Sequence, residues 1–133
     1  MEKKYVLTAL VYALVGLALG IYMAATRNHG QLVTHAHVML LGFVVSFIYA
    51  VCLKLWIKNT SSKMVVLQFT LHQVGTLFLL VGLFLMYGQQ ASIDDLELLL
   101  SLSSVAVLLA ALLMLVQFVK DNGLGKSKKS VGQ

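Results

Sequence analysis

Four long apolar runs, none of them interrupted by a proline, decide what this chain can fold into. Crossing ~30 Å of hydrocarbon takes ~20 helical residues. Four segments meet that length: Tyr5–Thr26, Thr34–Ile57, Met64–Tyr87 and Leu96–Val119. Only 11% of the 133 residues are charged and 59% are hydrophobic, with a mean hydropathy of +0.89. A water-soluble fold carries about a quarter charged residues and could not cover such a core with so few. The expected fold is therefore all-α, a four-helix transmembrane bundle embedded in a lipid bilayer, with no internal repeat. Short connections make successive helices antiparallel neighbours. Residues 1–120 form the transmembrane domain in this reading, and 121–133, rich in Gly, Ser and Lys, a disordered basic tail.

Charge placement orients the bundle and removes one class of function. The net charge of +5 invites a nucleic-acid partner. The lysines, however, flank the apolar runs: Lys3 and Lys4, then Lys54, Lys58 and Lys63, then Lys120, Lys126, Lys128 and Lys129. Topology accounts for them, and no nucleic acid is expected. The opposite side holds Arg27 with Asp94, Asp95 and Glu97, so the positive-inside rule puts both termini in the cytoplasm. Glu2-Lys3-Lys4 leads into a run too long for the apolar part of a signal peptide, and no cleaved leader is expected. The single cysteine, Cys52, excludes an internal disulfide and reads as a small core residue.

Chemistry concentrates in THAHVMLLGFVV, Thr34–Val45, which opens the second run with two histidines. Imidazole in hydrocarbon needs partners for its nitrogens. At 3.6 residues per turn His35 and His37 lie ~200° apart around a helix, so they cannot readily hold one ion together. His35, Met39, Gly42, Ser46 and Tyr49 share one stripe in this reading. On the third run His72, Gly75, Leu79, Gly82 and Met86 share another, with Gln68 and Gln73 adding polarity. Neutral imidazole ligates haem iron, copper and zinc, and glycines on histidine faces leave room for a flat ring. His37 near one end of its run and His72 past the middle of an antiparallel one differ in depth by ~15 to 20 Å at 1.5 Å per residue, too far for one iron. A stripe of small residues on the first run, Ala9, Ala13, Gly16, Gly20 and Ala24, marks a packing face within or between chains.

THAHVMLLGFV resembles the histidine-bearing helices of the catalytic subunit of haem-copper oxidases and nitric oxide reductases. In that superfamily the two histidines of an H-x-H pair face opposite ways and ligate separate haems. LHQVGTLFLLVGL resembles the third helix of small four-helix proteins related to it, matching at His72, Gln73 and Gly75. The resemblance covers the two middle helices, about a third of the chain. It implies a haem b-binding protein of a prokaryotic plasma membrane, working in electron transfer with an electron donor or in binding a diatomic gas. His37 is the first candidate for an axial ligand and His35 the second, each to a separate haem. Met39, Gly42 and Gly75 would line the haem slot, and His72 would serve a second cofactor site, a hydrogen bond or a proton path, with iron rather than copper as the metal. The chain has too few helices and histidines for two haems plus a copper centre, so a homo-oligomer would supply the missing helices and axial ligand. Two other readings stand beside this one. A transition-metal-binding or transport protein would use His29, His35 and His37, and a structural or interaction module would use Gly16–Gly20 as its association face.

Overall fold

The computed structural model describes residues 1–123 and is all-helical over that range. The expected tail falls almost wholly on residues 124–133, outside the described residues. The helices are α1 (Glu2–Thr26), α2 (Leu32–Leu55), α3 (Lys63–Tyr87) and α4 (Ile93–Asp121), each long and apolar enough to cross a membrane. Helix ends follow local chemistry. Ser62 caps α3, its hydroxyl accepting from the Val65 N–H at 3.3 Å. Ser92 and Asp95 form a reciprocal capping box at the start of α4. Arg27 closes α1 in the left-handed region, φ 53°.

The large side chains turned outward are those a lipid solvent calls for. Leu7, Leu14 and Ile21 of α1 are 65%, 69% and 70% exposed, seven residues apart along one stripe. Such a continuous exposed apolar face marks a surface whose solvent is not water. The inner helices are α2 and α3, which bury 33% and 39% of their apolar windows against 17% for α1 and for α4.

Two hairpins make the bundle. In the first, small residues bring α1 and α2 together: a Cβ on Gly16 would collide with the Met39 sulfur, and one on Gly20 would lie 3.1 Å from the His35 ring. In the second, a Cβ on Gly75 would lie 3.0 Å from Ala106 Cβ, and one on Gly82 would lie 2.7 Å from Leu100. Small residues are the means by which helices approach where lipid gives no hydrophobic drive. The Gly16–Gly20 face is thus occupied by this chain's own α2.

At the end where both described termini lie, Tyr5, Tyr49, Ala50, Leu53, Ile57, Val65 and Met114 form the apolar core. The α2–α3 connection is tied there to the end of α4: Lys58 N–H donates to Asp121 Oδ2 at 2.9 Å, and Trp56 meets Phe118 edge-to-face. At the far end Gln31 Nε2 donates to the Phe84 carbonyl at 3.0 Å.

Candidate functional site

α2 is not one regular helix. Leu32–His37 is α-helical, Val38–Val45 is a π-helix with i→i+5 bonding, and Ser46–Leu55 returns to α. The consequence appears in burial, which repeats every four residues through Thr34, Val38, Gly42 and Ser46. In a regular helix a four-residue repeat rotates by ~40° per step, since each residue turns ~100°. The wider π turns cancel much of that drift and keep the buried line straight. The stripe read from a 3.6 period is corrected accordingly. Gly42, Ser46 and Tyr49 lie on the buried line, whereas His35 and Met39 flank it on the side of α1.

Both histidines of the pair are held by backbone carbonyls. His35 Nδ1 lies 2.9 Å from Gly16 O of α1, and His37 Nδ1 lies 2.8 Å from Val33 O of its own helix. A carbonyl oxygen only accepts, so each Nδ1 carries the hydrogen and each Nε2 presents a lone pair. This is the arrangement in which a metal-ligating histidine is normally held by its surroundings. The two rings face different helices. His35 lies on Gly20 of α1, while His37 lines a cleft of ≈410 Å³ with Leu41, Leu79 and Leu83, and with Leu100, Ser104 and Val107 of α4.

The glycines expected to leave room for a flat ring are filled by protein. The Tyr12 ring sits where a Gly42 side chain would be, 2.5 Å from an ideal Cβ, and Gly75 is closed by Ser103, Ala106 and Val107. Met39 packs on Gly16. An open cleft remains instead beside His37. No three His, Cys, Asp or Glu side chains among the described residues come together as a metal site, and His29, His35 and His37 form no such group.

His72 is fully buried within a polar network that joins three helices. Its Nε2 lies 3.0 Å from Ser46 Oγ of α2, and its ring lies between Tyr5 and Tyr49 at centroid distances of 5.9 and 4.9 Å. Tyr5 O–H donates to Gln68 Oε1 at 2.7 Å, and Gln73 Nε2 donates to Thr8 Oγ1 at 3.1 Å. α1 and α3 meet through these polar pairs. An apolar groove of ≈600 Å³ runs between them, with Thr8, Gln73, Thr34 and Phe84 among its lining. Ser46 is nine positions beyond His37, about two of these wide turns, so His72 sits ~10 Å deeper along the axis. The two imidazoles therefore serve different sites.

Sequence reasoning did not find Tyr5, Thr8 and Ser46 as members of this network, nor the buried Thr76 one turn beyond His72. Thr76 carried a signal, since Gln68, His72 and Thr76 are four apart and share one face of the helix. Tyr5, Thr8 and Ser46 lie on other helices and carried none. No protein-family model, curated protein or solved structure matches the chain.

Proposed function

We propose that this chain is a haem b-binding protein of a prokaryotic plasma membrane, related to the haem-copper oxidase catalytic subunits, with His37 as the axial ligand the protein supplies. The observation that carries the reading is the state of His37. Its Nδ1–H is committed to Val33 O, its Nε2 makes no hydrogen bond among the described residues, and its ring borders an apolar cleft between helices. A b-type haem bound there supplies a one-electron couple and an iron position for a diatomic molecule.

What the chain contributes is orientation and exclusion of water. Val33 fixes the tautomer and ring plane of His37, and the leucines of α2, α3 and α4 keep the surroundings apolar. No other residue bordering the cleft carries an imidazole, thiol or thioether. A second ligand to the iron of a haem held there would have to come from outside these residues, from a gas or from a second copy of the chain. His35 fits less well, because its ring is packed on Gly20 and bonded to Gly16. The work assigned is electron transfer with a membrane-associated donor, or gas binding. Lys3, Lys4, Lys54, Lys58, Lys63 and Lys120 gather at one end, which supports cytoplasmic termini.

The visible spectrum of protein purified in mild detergent tests this. A Soret band is expected, shifting on addition of carbon monoxide to the reduced protein. His37→Ala is expected to lose the band and His35→Ala to keep most of it. Colourless protein from cells well supplied with haem, or full haem occupancy in His37→Ala, overturns the assignment. A C-terminal alkaline phosphatase fusion is expected to be inactive; an active one would reverse the orientation.

A further inference from the structure

Three successive turns of one face of α3 carry Gln68, His72 and Thr76, each 0% exposed. Protein partners satisfy only part of what these side chains offer. Because Tyr5 donates to Gln68 Oε1, the amide is oriented and its Nε2 is the unpaired end. Ser46 Oγ has two neighbours, Gln73 Nε2 at 3.4 Å and His72 Nε2 at 3.0 Å. The amide nitrogen only donates, and Ser46 Oγ, with two lone pairs and one hydrogen, serves it and His72 Nε2 together. His72 Nδ1 has no protein partner, nor has Thr76 Oγ1. Two buried nitrogens one turn apart, with a hydroxyl on the next turn, thus lack a partner inside a bundle whose outside is hydrocarbon. Lipid tails cannot supply one.

The spacing suits one small molecule. Residues four apart in a helix are separated by ~6 Å along the axis. A water making two hydrogen bonds of ~2.8 Å spans ~5.6 Å. We propose that the Gln68–His72–Thr76 face is an internal water-binding site. One water accepts from Gln68 Nε2 and shares a hydrogen bond with His72 Nδ1, and the Thr76 hydroxyl is reached directly or through a second water. Buried waters typically make about three such bonds. The site hydrates the ring nitrogen of His72 that the protein leaves without a partner. It is separate from the His37 cleft and does not depend on haem.

Water-edited solid-state NMR of the full-length, isotope-labelled chain in lipid bilayers tests it. Transfer from water to the His72 ring and to Thr76 is expected to build up several-fold faster than to Leu79 and Leu80, on the next turn of the same helix. Equal build-up at all four overturns the proposal. Thr76→Val is expected to slow transfer at His72, and an unchanged rate there removes Thr76 from the site. Should Thr76→Val not fold, Thr76→Ser, which keeps the hydroxyl, is expected to retain the wild-type rate; loss of the His72 signal in that variant also counts against the site.

Discussion

Gly42 shows how a single missing Cβ sets local geometry. Tyr12 of α1 places its ring where the side chain would be, with an ideal Cβ 2.5 to 2.8 Å from three ring and Cβ atoms. Gly42→Ala is expected to destabilise by about 1–3 kcal/mol, as overpacking of a close contact does. Thermal unfolding in detergent measures it. Combined with Tyr12→Ala, the substitution is expected to cost much less than the two singles added together, because the pair shares one volume. The histidines differ from Gly42 in that their roles are set by which nitrogen is free. His35 and His37 each give Nδ1–H to a carbonyl, and His72 meets Ser46 through Nε2.

At the scale of the helix, the π segment of α2 is what lets one element serve both sites. It fixes the rotation between His35 and His37 at one end and Ser46 at the other. Inserting one alanine after Leu40, into turns that are already wide, would turn everything beyond it by ~90° relative to His37. Either the His35–Gly16 bond or the Ser46–His72 bond would then be lost. The expected result is a lower unfolding temperature than that of Leu40→Ala, which removes side chain only. An equal temperature for the two variants would mean that the π turns carry no registration. A similar argument holds at the start of α4, where Ser92→Ala is expected to cost about 1 kcal/mol through loss of the cap.

For the whole molecule, the decisive feature is that the small-residue faces are used inside the chain. Gly16 meets Met39, Gly20 meets His35, and Gly75 and Gly82 meet α4. Gly16→Leu is therefore expected to lower the unfolding temperature and leave the oligomeric state by size-exclusion chromatography unchanged. Dissociation of an oligomer without loss of stability would reassign Gly16–Gly20 to an interface between copies. The hairpins α1–α2 and α3–α4 leave between them the clefts in which the proposed chemistry lies.

Apolar run length, the absence of proline and the flanking charges already determined four helices and their approximate ends, because a bilayer demands both length and internally satisfied backbone groups. The opposed faces of His35 and His37, and the separation of His37 from His72, were also legible, since helical pitch alone decides them. The π turns were not, because a 3.6-residue period was assumed where wider turns occur. Nor was it legible that Tyr12 fills the space at Gly42, or that Ser46 of α2 meets His72. Those outcomes depend on how one helix is rotated against another, and only tertiary packing fixes that rotation.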